Sequence, residues 1–151
     1  IPVIGAGGVG DGRGLAAMLI LGAEGVQVGT RFVVAEESIA HENYKQKILK
    51  ARDIDSVVTG RSCGHPIRSV RNPHTRKYIE MEKSGASFEE LEYLALGSLR
   101  RAVEEGDLEN GNFMAGQIAG LIHKEQPCRE ILEELVTEAE TLLGGSRPWE
   151  R

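Results

Sequence analysis

Two small-residue turns are the parts of this chain best suited to chemistry. Ala6-Gly7-Gly8 follows the apolar run Ile1-Pro2-Val3-Ile4, and Gly29-Thr30 follows Gly25-Val26-Gln27-Val28. Glycine lets the backbone approach a ligand closely and lets consecutive N–H groups converge on an anion. Thr30 adds a hydroxyl, and Arg31 to Ala35 is expected to form a short helix whose N-terminus faces the same anion. A lone glycine pair ordinarily makes only a tight turn. Two such turns after successive strands point to a phosphate. The dinucleotide fingerprint fits less well. Gly5-Ala6-Gly7-Gly8-Val9-Gly10 approximates its glycine spacing, but Glu24 precedes the second strand, where a ribose-binding acid should end it.

Other reactive side chains have plainer readings. His41 suits a helix N-cap or a surface position, and His65 in Gly64-His65-Pro66 suits a structural loop. His74 and His123 have no partners at metal-ligand spacing, so no metal site is expected. Cys63 has basic neighbours that favour a thiolate, yet nothing else marks it as a nucleophile. Residues 61–77 carry Arg61, Arg68, Arg71, Arg76 and Lys77 without an acid. That stretch reads either as a solvated face or as one landing patch for an anionic partner.

The elements that must position these residues follow from pattern. A buried strand is expected at 1–4, a helix capped by Asp11 at 12–21 and a strand at 25–28. So short a connection between strands makes them parallel, a βαβ unit. A helix is expected at 42–51 and a strand at 55–59. Residues 60–77 read as irregular or extended. One helix runs from the capping box Ser87-x-x-Glu90 to Gly106, with Leu91, Leu94, Ala95, Leu99, Ala102 and Val103 as its apolar stripe. A last helix starts near Pro127 and buries Ile131, Leu132, Leu135, Ala139, Leu142 and Leu143 before Gly144-Gly145.

Composition sets the limits. The chain has 151 residues, 40% hydrophobic and 27% charged, with a net charge of −5. That profile fits a globular domain and argues against nucleic-acid binding, which needs a dominant basic surface. No apolar run reaches the roughly 20 residues needed to span a bilayer, so no membrane association is expected. Cys63 and Cys128 are too few for a disulfide framework and read as reduced thiols of a cytoplasmic protein. A domain that begins at Ile1, inside a core strand, leads us to expect a further N-terminal portion.

The two blocks Ile1 to Gly12 and Leu21 to Phe32, the latter ending Gly29-Thr30-Arg31-Phe32, resemble the nitronate monooxygenase superfamily of FMN enzymes. Met114-Ala115-Gly116-Gln117-Ile118-Ala119-Gly120-Leu121 strengthens the likeness. His41 to Lys45, Gly64 to Arg68 and Gly106 to Gly111 are most similar to the FMN-dependent, type II enoyl-acyl-carrier-protein reductases within it. The resemblance implies an α/β fold, the C-terminal portion of a (β/α)8 TIM barrel. Strands 7 and 8 and the FMN phosphate site would occupy 1–52, an inserted small helical domain 53–125, and the final barrel helix and tail 126–151.

It further implies that Ala6, Gly7, Gly8, Gly29 and Thr30 hold the FMN phosphate, while Met114, Gly116 and Gln117 approach the flavin. Met114 is equally readable as core packing. Gln117 is expected to be a buried amide whose partners lie on the flavin or substrate. The family's catalytic histidine falls in a segment outside this chain. NADH or NADPH would be the co-substrate, an acyl-carrier-protein-linked or small thioester the substrate, and fatty-acid synthesis the setting; a homodimer stays open. Two alternatives remain: a nitronate monooxygenase using O2 on the same scaffold, and a non-redox phosphate-binding barrel.

Overall fold

The computed structural model describes residues 1–144; the stretch 145–151, with Gly145 and the expected tail, lies outside the described residues. The fold is α/β. Strand β1 (Ile4–Ala6) leads to helix α1 (Gly12–Ile20), where Asp11 accepts a hydrogen bond from the Gly14 N–H at 3.1 Å, the expected cap. Strand β2 (Gly25–Gln27) then pairs parallel to β1, with Ile4 opposite Gly25 and Ala6 opposite Gln27. This is the expected βαβ unit.

Helix α2 (Thr30–Val33) follows at once, slightly earlier than the Arg31–Ala35 expected. In α3 (Glu42–Leu49), His41 is the N-cap, its ring Nδ1 accepting from the Asn43 N–H at 3.1 Å. A 3-10 turn at Asp53–Asp55 introduces β3 (Ser56–Thr59), which pairs antiparallel with β4 (Ile67–Val70). Helices α4 (Pro73–Lys83), α5 (Phe88–Ala95) and α6 (Ser98–Arg100) follow, the last running into a π-helical turn at Arg101–Glu105. A 3-10 turn at Gln117–Leu121 precedes α7 (Cys128–Gly144). No described helix is long and apolar enough to cross a membrane.

The main core gathers Val34, Tyr44, Ile48, Val70, Ala102, Phe113, Ile118 and Ile122. It therefore draws on α2, α3, β4 and the segment before α7. A second cluster joins Ala35 to Ile131 and Leu135 of α7, with Leu15 and Phe32 against it.

Four expectations need correction. Ile1 to Ile4 is not a buried strand: β1 begins only at Ile4, and Ile1, Val3 and Ile4 are exposed, because no described element covers that side of the two-stranded sheet. Residues 60–77, expected to be irregular or extended, hold a turn, the strand β4 and the start of a helix that was not expected. The His65 N–H bonds back to the Gly60 carbonyl at 2.9 Å and closes a hairpin, and Asn72 with Thr75 forms a capping box that starts α4 with Pro73 in its first turn. The Ser87–Gly106 helix is broken, since Leu96 turns to ψ 121° and Gly97 follows at φ 71°. In α7 only Ile131, Leu135 and Ala139 are buried; Leu132, Leu142 and Leu143 are exposed because the helix packs along one narrow face.

That face explains a further sequence feature. The Gly12 N–H donates to Glu138 Oε2 at 2.7 Å, so a carboxylate of α7 satisfies the first turn of α1. A side chain at position 12 would stand 2.5 Å from the Glu138 Cβ and 2.7 Å from the Ala139 nitrogen. Gly12→Ala should therefore force α1 and α7 apart and lower stability by roughly 1–3 kcal/mol. Chemical denaturation of the intact protein measures this, and an unchanged midpoint would show that the helices separate freely.

Candidate functional site

The two turns stand side by side because their strands are parallel. Ala6 faces Gln27 as the last pair of the ladder, so the turn at Gly7–Gly8 and the turn at Gly29 leave from the same end of the sheet. Gly7 and Gly8 adopt φ of 80° and 74°, left-handed values that a side chain strains to reach. Side chains added at Gly7, Gly8 or Gly29 would meet nothing within 4 Å. These backbones thus border an open cradle that substituents would fill. Ala6, Gly7, Gly8 and Gly29 are all exposed, as a ligand-facing surface requires.

Thr30 links this cradle to the distant segment. The Gly116 N–H donates to Thr30 Oγ1 at 2.8 Å. The hydroxyl accepts that bond and keeps its own proton for another acceptor. The Tyr44 hydroxyl donates to the Met114 carbonyl at 2.6 Å, and the Tyr44 ring meets Phe113 edge-on with centroids 5.1 Å apart. The Val70 N–H bonds to the Phe113 carbonyl at 2.8 Å and the Ala115 N–H to the Arg68 carbonyl at 3.1 Å. Residues 113–115 therefore run beside β4 like an added strand. The result is a shallow depression of about 360 Å³ lined by Gly29, Thr30, Tyr44, Arg68, Met114 and Gly116.

Four of the expected site residues, Gly29, Thr30, Met114 and Gly116, thus meet in one depression, while Ala6, Gly7 and Gly8 end the neighbouring strand and are not part of its lining. Gln117 is the exception. It begins the 3-10 turn but is exposed, so the buried-amide argument for it does not hold. The basic stretch does not form one patch either. Arg68 is half-buried beside this depression and donates to Ser56 Oγ at 3.0 Å. Arg71 and Arg76 line a different hollow, and Lys77 a third. A strand followed by a helix sends neighbouring residues in different directions. His65 lies beside Phe88, with ring centroids 5.9 Å apart, and His123 is exposed. His74 is buried, and that burial, with Arg101 and Lys77 nearby, pushes its imidazole below the usual histidine range.

Two buried cations brace the site and escaped the sequence reading. The Arg31 guanidinium donates to Gln126 Oε1 and, at 3.3 Å, to the Lys124 carbonyl. Burial pushes it below the ordinary arginine range while Glu134 opposes the shift. Lys45 Nζ donates to the Ala35 carbonyl at 2.8 Å and pairs with Glu125 at 2.6 Å. Both lie inside motifs singled out above, Gly29 to Phe32 and His41 to Lys45. Motif membership was their only signal, since their acceptors are distant in sequence.

Comparison with known proteins identifies the family. The sequence model of nitronate monooxygenase matches residues 1–138. The chain belongs to the nitronate monooxygenase family. A probable nitronate monooxygenase of Staphylococcus saprophyticus is 33% identical over 143 residues, 95% of this chain and 40% of that protein. The structure of FabK from Thermotoga maritima superimposes with a TM-score of 0.89 at 52% identity, over 95% of this chain and 46% of that one. A nitroalkane oxidase of Streptomyces ansochromogenes aligns with a TM-score of 0.77 at 28% identity, over 95% of this chain and 41% of its own. The chain thus spans about 40% of the length of the curated family members it matches.

Tyr44 offers a direct check on the geometry. Burial raises its phenol to about 12, the Met114 carbonyl opposing, and burial with Cys63 nearby raises Tyr78 to about 12. A folded pKa above the unfolded value of about 10 contributes stability below pH 10 that is lost as pH rises towards 12. Ultraviolet titration of the intact protein should show these two phenols ionising late, and Tyr44→Phe should remove one late step and soften the alkaline loss of stability. A Tyr44 that titrates near 10 would mean that its phenol is not buried.

Proposed function

We propose that the chain is the C-terminal part of an FMN-dependent reductase of 2-enoyl thioesters. On this reading β1 and β2 are strands 7 and 8 of a (β/α)8 barrel. Residues 1–52 carry the phosphate site, 53–125 form an inserted substrate or lid domain, and 126–151 are the final barrel helix and tail. The observation that carries the reading is the Thr30–Gly116 bond, which draws Met114 and Gly116 to the edge of an open glycine cradle. The choice of reductase rests on 52% identity with FabK, a type II enoyl-acyl-carrier-protein reductase, against 33% with the probable nitronate monooxygenase.

Each residue then has a task. Backbone N–H groups around Gly7, Gly8 and Gly29 would hold the phosphate, with Ala6 ending the strand that precedes them. The Thr30 hydroxyl donates its remaining proton to the same anion. Met114 lines the depression with an apolar side chain that would exclude water from a bound flavin, and the Gly116 backbone leaves room beside it. Gln117, exposed at the head of its turn, offers an amide at the rim. FMN, when bound, supplies hydride transfer from NADH or NADPH to the β-carbon of the thioester. The histidine that the resemblance makes catalytic falls outside these residues.

In the intact protein, Gly8→Val and Gly29→Val should fill the cradle and sharply reduce flavin content, read from visible absorbance after purification. Full occupancy in both variants would remove the phosphate assignment. Anaerobic oxidation of NADH driven by crotonyl thioester tests the reaction itself. The curated family members favour a second reading, a nitronate monooxygenase. Nitronate turnover that requires O2, without enoyl reduction, would establish it in place of the first.

A further inference from the structure

A hollow of about 460 Å³, sharing no lining residue with the depression at Gly29 and Thr30, has an unusual charge distribution. Lys47 and Lys50 reach it from α3, Arg71 from the link between β4 and α4, and Arg76 from α4. The carboxylate lining it belongs to Asp55, which is already engaged by Arg52, accepting from its backbone N–H at 3.0 Å and from its guanidinium at 3.1 Å. Among the described residues, none of the four cations makes an ion pair. Such convergence is notable in a chain of net charge −5. Lys47 is half-buried, with its ammonium 5.8 Å from the centre of the Phe113 ring. Burial and the nearby Arg76 push that ammonium below the ordinary lysine range, Asp55 opposing. Three chain segments thus hold like charges together around a concavity.

We propose that this hollow binds a phosphate or diphosphate group, separately from the cradle at Gly7, Gly8 and Gly29. Guanidinium groups match phosphate oxygens in pairs, and lysines add point charges. The volume falls in the range of small-molecule sites, roughly 300–1,000 Å³. A concavity of this size suits a phosphorylated small group better than the flat face of an acidic protein. The diphosphate of a nucleotide and the phosphate of a phosphopantetheine arm share the recognised chemistry.

The test uses the intact protein with excess FMN, so that the cradle cannot report, and inorganic pyrophosphate as the calorimetric probe in phosphate-free buffer. Wild type should bind pyrophosphate, and more weakly as salt rises. Losing two charge-assisted hydrogen bonds should weaken binding at least about tenfold in the Lys47→Met, Arg76→Met double variant. The Lys50→Ala, Arg71→Ala pair alters exposed side chains only and should weaken it several-fold, so the outcome does not hang on the folding of one variant. Arg129→Met, remote on α7, should bind as wild type does. Competition by ADP or by phosphopantetheine supports the site, and the stronger competitor names its source. No binding by wild type, or unchanged affinity in both pairs of substitutions, overturns the proposal. The flavin content of the Gly8 and Gly29 variants is a separate readout, so failure of one assignment leaves the other standing.

Discussion

The site depends on how residues 113–116 are held. Phe113 is fully buried, and the backbone on either side of it is bonded to β4, to Tyr44 and to Thr30. A buried peptide group left without a partner costs about 1–3 kcal/mol, so each bond both stabilises the segment and forbids its drift. Thr30 is the pivotal member because it opens α2 directly after the βαβ unit, while its partner Gly116 lies far along the chain. Without that bond the glycine turns and Met114 would be neighbours only in a list of motifs.

Charge follows the same logic at a finer scale than composition. The chain is acidic overall, yet Arg31 and Lys45 are buried. They are tolerated because their charge is met by acceptors: both terminal nitrogens of Arg31 donate, to Lys124 and Gln126, and the Lys45 ammonium finds Ala35, Glu36 and Glu125. These contacts tie the segment before α7 to α2 and to α3. Net charge describes only the chain as a whole. It could not anticipate that four other cations would gather unpaired at one hollow.

The apolar residues on the far side of the molecule show a different constraint. Parallel strands are ordinarily covered on both faces. Here β1 has exposed residues at Ile4 and Ala6, Ile20 and Leu21 at the end of α1 are exposed, and so are Leu132 and Val136 of α7. On the barrel reading, these faces are where other strands and helices would pack.

Much of the βαβ unit was legible because its signals are local. The cap at Asp11, the turn residues at Gly7 and Gly8 and the parallel pairing all follow from chirality, glycine geometry and a short connection. The family likeness was equally readable from ordered motifs. What sequence alone missed lay where long-range contacts decide: the pairing of β4 and the start of α4 in a stretch read as irregular or extended, the break at Gly97, and the exposure of Gln117. The sequence by itself determined which residue types could grip a phosphate. Only the tertiary structure decided that Thr30 would join Gly116 and that Arg68 would part from Arg71 and Arg76. Those outcomes depend on backbone groups dozens of residues apart finding one another as partners, and no periodicity encodes such a meeting.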